Sequence, residues 1–179
     1  MTTTSPAGLA VGRWTVDPAH STATFRVRSL GRTVTGNVPI TEGTVDVDES
    51  GRPRAICGSL DLGAIDTGNP RRDKDLRKPR FLDLDRYPTM TFAADSITIS
   101  PDGGWRVTGQ LAVRGTSVRL AGDATVSPHD RSATVTAHTQ LDRRTLGIRA
   151  PRIMIGHVID ITVTAQMQVG RVPSAASTC

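Results

Sequence analysis

The feature that most constrains this chain is an alternation of apolar and polar residues that runs through most of its length. The clearest case is the run at 159–169, in which Ile, Val, Ala and Met alternate with Asp, Thr and Gln. A period of two residues places alternate side chains on opposite faces of a β-strand. The run at 21–30 repeats the pattern, with Ala23, Phe25 and Val27 on one face. We therefore expect strands with one apolar and one polar face.

Turn signals divide this pattern into about eight strands, which is typical of an antiparallel sandwich or an up-and-down barrel. Turns are predicted at 17–18, 49–51, 101–104 and 127–130. Within the run at 32–48 the pattern is interrupted by Gly36, Pro39 and Gly43. These residues predict either a bulge in one long, curved strand or a hairpin.

Small residues on the apolar faces favour the barrel over the sandwich. Aromatic residues make up only 3% of the chain, and several inward positions are small: Gly58, Gly109, Gly122, Ala124 and Ala137. An eight-stranded barrel is just wide enough to hold a ligand when its interior side chains are small. The alternative is that these residues mark bulges and tight corners.

One segment, residues 69–87, breaks the β pattern with a dense run of charge. Six cations lie within its first twelve residues: Arg71, Arg72, Lys74, Arg77, Lys78 and Arg80. Asn69 is a suitable helix N-cap, Pro70 is acceptable at the first helical position, and Asp73 lies near the positive end. The sequence predicts a short helical excursion near residues 70–78.

This segment has two interpretations. Charged runs are usually solvated faces. Alternatively, the segment covers one end of the barrel, with Leu76 and Phe81 turned inward and Arg71 or Arg72 facing an anionic headgroup. In that case Arg72 and Asp73 would brace the cover.

Length and charge limit the classes of protein that need to be considered. The 179 residues suit one domain, with flexible tails expected at 1–12 and 171–179 around a domain at 13–170. The net charge of +5 favours anionic partners such as phosphates or a transient contact with a membrane surface. Nucleic acid is not an expected partner, because Arg-rich composition also arises from genome-wide bias.

The cysteines and the N-terminal residues predict a cytoplasmic location. A disulfide between Cys57, in a strand, and Cys179, at the chain end, is not expected, which indicates a reducing compartment. The first residues lack the basic and apolar regions of a signal peptide.

Chemistry-bearing motifs are scarce. The four histidines (His20, His129, His138 and His157) show no metal-ligand spacing, and no nucleophile or phosphate-binding motif is present. We therefore predict no metal, no cofactor and no catalytic residue. For His20 two roles are open: a donor at a cavity mouth, or a partner in a turn capped by Asp17.

The order of short motifs resembles that of the YceI-like family of polyisoprenoid-binding proteins, over about 14–169. The opening motif is present as Trp14, Asp17, Pro18, His20, Ser21, Phe25 and Val27. The central motif is present as Ile65, Asp66, Thr67, Gly68, Asn69, Arg72, Asp73 and Leu76, continuing through Phe81, Asp83, Tyr87, Pro88 and Phe92. The later motifs are present as Gly109, Gln110, Leu111, Arg114, Gly115, Asp142, Arg143, Gly147 and Gly156.

The resemblance implies an all-β, eight-stranded antiparallel lipocalin-like barrel that holds an isoprenoid lipid in an apolar tunnel. The lipid would be a prenyl quinone or polyprenyl phosphate, held for carriage, storage or sequestration. The chain departs from the family pattern at Ser29, Val38, Asp75 and Leu82, which bears on the headgroup contacts and the cavity length. The predicted ligand-binding residues are Phe25, Val27, Leu60, Leu76, Phe81, Phe92, Leu111, Leu120, Val135, Ile161, His20 and Arg72.

Two other functions are open at this point. One is an enzyme that uses the same cavity on a small hydrophobic substrate; a buried, titration-shifted Asp61, His20 or Asp142 in the pocket would favour it. The other is a ligand-free, stress-related accessory protein, which a filled core would favour. A homodimer is compatible with all three functions.

Overall fold

The computed structural model describes residues 8–151 and 153–170. Within these residues the chain forms nine strands, one α-helix and three short 3-10 turns. The strands are β1 (Gly12–Val16), β2 (Thr22–Ser29), β3 (Arg32–Val47), β4 (Pro53–Asp61), β5 (Thr89–Ile99), β6 (Trp105–Val113), β7 (Thr116–His129), β8 (Ser132–Asp142) and β9 (Val158–Val169). The helix, α1, is Pro70–Leu76, and the 3-10 turns are Pro18–His20, Leu62–Ala64 and Arg143–Leu146.

Strands β2 to β9 form a closed antiparallel barrel. Each strand pairs with the next along the chain, and β2 pairs with β9 to close the ring. Strand β1 bridges the end of β3 and the end of β9. The predicted eight-stranded antiparallel barrel with one short helix near 70–78 is confirmed.

The connections fall at two ends because successive strands run in opposite directions. The helix end carries α1, the β2–β3 hairpin, the β6–β7 turn and the β8–β9 connection. The tryptophan end carries β1 and the β3–β4, β5–β6 and β7–β8 turns.

A tight apolar cluster fills the tryptophan end. Trp14 is fully buried, and its indole Nε1 donates a hydrogen bond to the carbonyl of Ala10 at 2.9 Å. The cluster consists of Leu9, Trp14, Val45, Val47, Trp105, Ala124, Ala133, Ala165 and Met167. Leu9, which the sequence placed in a flexible tail, is 4% exposed because it packs into this cluster. The rest of the predicted tails, 1–7 and 171–179, lies outside the described residues.

The ambiguous run at 32–48 is one strand of 16 residues, β3. Its register against β4 shifts between Ile40 and Glu42, which is the bulge expected from the interruptions. The predicted turn at 127–130 begins too early. Strand β7 continues to His129, with Pro128 opposite Ala133, and the chain reverses at Asp130, where φ is +53°.

Gly109, one of the small inward residues, allows close approach of the neighbouring backbone and leaves no empty space beside it. A Cβ on Gly109 would lie 2.2 Å from the carbonyl oxygen of Ala93 and 2.7 Å from the ring of Phe92. The register of β5 against β6 shifts here, between Ala94 and Ser96. Gly109 therefore marks a bulge, the alternative interpretation of the small residues.

Cys57 is disulfide-bonded, so the expectation of reduced cysteines is wrong. The other cysteine of that expectation, Cys179, lies outside the described residues. Disulfides are rare in cytosolic proteins. The cytoplasmic prediction therefore loses the support that it drew from the cysteines.

Candidate functional site

The barrel interior holds two cavities between the tryptophan cluster and the helix end. Cavity 1, in the middle of the barrel, has a volume of about 210 Å³. Cavity 2, at the helix end, has a volume of about 250 Å³. Phe25 and Met90 line both cavities and lie between them. Together the cavities fall within the roughly 300–1,000 Å³ typical of small-molecule sites.

The wall of cavity 1 consists mainly of inward-facing apolar strand residues, with Glu42, Asp123, His138 and Thr139 also on it. The apolar side chains point into the barrel, yet several are only half-buried: Phe25, Ile56, Phe92, Val107, Leu120, Val135 and Val163. Since the barrel is closed, their remaining exposed surface faces internal space. Small residues at Gly58 and Ala137 contribute to that space. The interior is therefore not a filled core.

The helix end forms the wall of cavity 2, and α1 is fixed there by its N-terminal contacts. The Asn69 side chain accepts a hydrogen bond from the backbone N–H of Arg72 at 3.2 Å, as an N-cap should. Asp73 accepts hydrogen bonds from the backbone N–H of Thr67 at 3.1 Å and from its hydroxyl at 2.5 Å. Both residues of the predicted brace therefore contact Thr67, Asp73 through these two bonds and Arg72 through a 3.5 Å contact to its carbonyl.

Arg114 holds the chain after α1 against the barrel. Its guanidinium donates to the carbonyl of Pro79 at 2.5 Å and to that of Leu146 at 3.1 Å. In the same β6–β7 turn, Gly115 has φ +68° and lies against the ring of Tyr87. This Arg-Gly pair directly follows β6, a strand that lines cavity 1, so both contacts are made from the end of the barrel wall. They keep the cover over the helix end of the barrel.

Arg143 is a buried guanidinium that the sequence did not single out for the site. It is 2% exposed and lines cavity 2. Its donors reach the carbonyls of Gly156 (2.9 Å), Ile148 (2.7 Å), Ala150 (2.6 Å) and Ile155 (2.9 Å). No carboxylate pairs with it among the described residues. Its charge is thus compensated by the carbonyl dipoles of the β8–β9 connection.

Eleven of the twelve predicted binding residues lie on a cavity wall, and their binding role stays a prediction. Those on cavity 1 are Phe25, Leu60, Phe92, Leu111, Leu120, Val135 and Ile161. Those on cavity 2 are Phe25, Val27, Arg72, Leu76 and Phe81. The period of the strands predicted those on the strands, and the charged segment around α1 supplied Arg72, Leu76 and Phe81.

His20 lies outside both cavities. Its ring Nδ1 is 2.7 Å from a carboxylate oxygen of Asp17, and its side chain is 72% exposed. The other Asp17 oxygen accepts the N–H of Ala19, so Asp17 caps the turn. The proposed site therefore omits His20 as a donor at the mouth.

The other two residues that would have favoured an enzyme also lie off the cavity walls. Neither Asp61 nor Asp142 lines cavity 1 or cavity 2. The pKa of Asp142 is lowered to about 2, first because the side chain of Arg144 donates to it and then because the backbone N–H of Arg144 does. This carboxylate caps the 3-10 turn after β8.

Asp142 should make stability depend on pH in acid. Its folded pKa of about 2 lies below its ordinary value of 3.8, so its stabilisation is complete above about pH 4 and is lost as pH falls toward 2. We expect the urea midpoint of Asp142→Asn to fall less steeply than that of the wild type over this interval. Parallel curves for the two proteins would contradict this role of Asp142.

In residues 8–151 and 153–170, no helix has the length and apolar character to cross a membrane. The same residues contain no group of three or more His, Cys, Asp or Glu side chains arranged to hold a metal ion.

A closed antiparallel barrel with an apolar internal cavity is the architecture of lipocalin-like proteins. The chain belongs to the YceI-like domain family, whose model matches residues 14–167. The resemblance inferred from the motifs is thus confirmed.

Curated relatives match part of this chain. Protein YceI of Salmonella arizonae is 30% identical over 99 residues, which are 54% of this chain and 51% of that protein. A UPF0312 protein of Pectobacterium atrosepticum is 29% identical over 108 residues, 59% of this chain and 55% of that protein. The chain thus spans about half the length of the curated relatives that it matches.

Solved structures share the fold over a larger part of the chain. BcnA of Burkholderia cenocepacia has a TM-score of 0.78 at 16% identity, covering 84% of this chain and 98% of that one. A polyisoprenoid-binding domain from Saccharophagus degradans, implicated in plant cell wall breakdown, has a TM-score of 0.65 at 12% identity. It covers 88% of this chain and 98% of that one. At these sequence identities the similarity shows a shared fold.

Proposed function

We propose that this protein binds an isoprenoid-type lipid in cavities 1 and 2, for carriage, storage or sequestration. The observation that carries the proposal is the closed barrel whose inward apolar side chains face internal space. Family membership and the polyisoprenoid-binding structural neighbour support the choice of ligand class. The prenyl chain would lie past Phe25 and Met90, which separate the two cavities.

Apolar burial supplies enough free energy for such binding. Burying one CH₂ contributes about 0.8 kcal/mol, so a five-carbon isoprene unit contributes at most roughly 3–4 kcal/mol. Association and ordering cost roughly 4–15 kcal/mol. Micromolar affinity, about −8 kcal/mol, therefore requires several buried units. A ligand of this class needs both cavities.

Arg72 is the cation best placed to meet a headgroup. It is half-buried, lines cavity 2, and makes one long contact, 3.5 Å, to the carbonyl of Thr67. No ion pair among the described residues includes it. Arg71, the other candidate, is exposed and lies on neither cavity wall. We assign headgroup contact to Arg72.

Two ligands that differ only at the headgroup test this proposal. We expect purified protein, after solvent extraction, to take up a C20 prenyl alcohol and the matching prenyl phosphate, detected by native mass spectrometry. Arg72→Ala should weaken binding of the prenyl phosphate about tenfold more than binding of the prenyl alcohol, since a charge-assisted contact contributes roughly 1.5–3 kcal/mol.

Arg71→Ala is the matched control and should leave both affinities unchanged. An extracted protein that takes up neither ligand would overturn the proposed function. Equal losses for the alcohol and the phosphate in Arg72→Ala would remove the headgroup role and keep the chain-binding role.

Four further features of the proposed function are more specific than anything that the fold or the family membership establishes. Choice between a quinone and a phosphate, a cytoplasmic location, a homodimer and the absence of catalysis all stay predictions. Among the described residues, the three titratable groups named as signs of an enzyme lie off the walls of cavities 1 and 2. The presence of the cavities also argues against a ligand-free accessory role.

A further inference from the structure

Exposed apolar side chains are concentrated at the helix end of the barrel. Of the six large hydrophobic residues exposed in the described part of the chain, four lie there: Leu30 (70% exposed), Ile153 (80%), Met154 (47%) and Val158 (48%). The other two, Val11 and Ile99, lie at the tryptophan end. Single exposed apolar residues need no explanation, but a cluster marks an interaction site.

These residues belong to two segments that are hydrogen-bonded together. The hydroxyl of Ser29 donates to the carbonyl of Met154 at 2.8 Å. The N–H of Gly156 donates to the carbonyl of Arg28 at 2.7 Å. The β2–β3 hairpin and the β8–β9 connection therefore form one surface, which we call the apolar rim: Leu30, Ile153, Met154 and Val158.

The apolar rim is continuous with the interior of the barrel. Leu30 and Met154 are on the wall of cavity 2 as well as on the surface. Val158 is exposed, whereas the next residue, Ile159, lines cavity 2. A molecule on this surface therefore contacts the same apolar wall that continues into the barrel.

Unpaired cations surround the apolar rim. Arg28 and Arg32 flank Leu30 in the hairpin, and Arg149 precedes Ile153; all three arginines are exposed. None of them forms an ion pair within the described residues. Two carboxylates at this end pair with cations of their own, Asp142 with Arg144 and Asp75 with Lys78, whereas Asp160 accepts only from the neutral Gln140 amide, so three unpaired arginines outnumber it. The surface therefore presents uncompensated positive charge around apolar side chains.

We propose that the apolar rim docks onto an anionic lipid bilayer. Leu30, Ile153 and Met154 enter the headgroup region, and the arginines contact anionic lipids. This combination, apolar side chains at the interface with basic residues beside them, is what binds peripheral proteins to such membranes. Docking in this orientation sets the part of the cavity 2 wall formed by Leu30 and Met154 against the bilayer. The docking step deepens the proposed function, since a prenyl lipid would then enter the barrel without crossing water.

Vesicle flotation tests the docking. The wild type should bind vesicles of phosphatidylcholine mixed with phosphatidylglycerol at least about tenfold more tightly than pure phosphatidylcholine, since each basic residue near an anionic surface adds attraction. Binding to the mixed vesicles should weaken as salt is raised, because salt screens exposed charges. The double variant Leu30→Asp/Ile153→Asp should lose about tenfold or more of that binding, because both changes remove apolar contact and add negative charge.

Leu30→Asp should fold normally, because Leu30 has φ +49° and Asp tolerates that conformation better than Leu. Ile99→Asp is the matched control: Ile99 is 45% exposed but lies at the tryptophan end, so vesicle binding should persist. Circular dichroism and a urea midpoint establish that each variant is folded.

Three outcomes would overturn the docking: no vesicle binding by the wild type, equal binding to both vesicle types, or an equal loss in Ile99→Asp. A fourth outcome would also overturn it: the wild type is a dimer, and the double variant is a monomer that binds vesicles as well as the wild type does. Failure of the proposed function is separable, because it would give a protein that floats with anionic vesicles but takes up no prenyl alcohol.

Discussion

Replacing Arg143 with Met should destabilise the protein by about 3–5 kcal/mol, because the buried guanidinium is the hydrogen-bond donor for four carbonyls. Methionine fills similar space but leaves those carbonyls without their donor at a buried position. Urea denaturation followed by the fluorescence of Trp14 and Trp105 measures the loss. The hydrogen exchange of residues 148–150 and 153–156 should also accelerate, since Arg143 binds carbonyls in both stretches.

The neighbouring arginine provides the matched control. Arg144 is 61% exposed on its side chain and pairs with Asp142, and exposed ion pairs contribute roughly 0–1 kcal/mol. Arg144→Met should therefore cost less than about 1 kcal/mol. Arg143→Lys should lie between the two, because an ammonium keeps the charge but lacks the planar fork that reaches several carbonyls at once. Equal losses for Arg143→Met and Arg144→Met would show that the buried network contributes little.

The strands and the helix were predictable because their signals are local. A period of two residues placed Phe25 and Ile161 on the inner wall, and they are partners across β2 and β9. The N-cap at Asn69 was predictable for the same reason, since an Asn before a Pro-initiated turn suits a helix start. Such features depend on neighbours a few residues apart in the chain.

Arg143 and Cys57 were not predictable from local pattern. Arg143 follows a strand, and its place in the later family motif gave it no role; its carbonyl partners lie 5–13 residues away in irregular backbone. Cys57 was assigned to the reduced state because a disulfide between a strand and the chain end was not expected, yet it is disulfide-bonded. Non-local contacts of this kind depend on which segments the folded barrel brings together.

Three small inward residues show the same limit of prediction from the alternating pattern. Gly58, Gly109 and Gly122 occupy equivalent inward positions in the sequence. A Cβ on Gly58 would meet only the carbonyl of Glu42, at 3.7 Å, whereas one on Gly122 would lie 2.7 Å from the carbonyl of His138. Gly58 leaves space, but Gly109 and Gly122 allow a close approach of the backbone. Alternation alone gives all three the same role.

The distinction between these glycines yields a test of where the ligand lies. Gly58→Leu should fold, because its Cβ has room and its side chain enters cavity 1. The four added carbons displace about as many CH₂ groups of a bound chain, which removes about 3 kcal/mol of burial, or roughly 100-fold in affinity. Binding of a C20 prenyl alcohol measures this loss, and the urea midpoint should stay unchanged or rise.

Ala112→Leu adds similar bulk on the outer face of β6 and should leave prenyl binding unchanged, since Ala112 is exposed and off both cavity walls. Gly122→Leu should lower the urea midpoint instead, because the backbone of His138 cannot move aside without disturbing the β7–β8 pairing. If Gly58→Leu binds the prenyl alcohol as tightly as the wild type, cavity 1 does not hold the chain. Binding would then have to depend on cavity 2 alone, which holds about 250 Å³ and lies below the roughly 300–1,000 Å³ of typical sites.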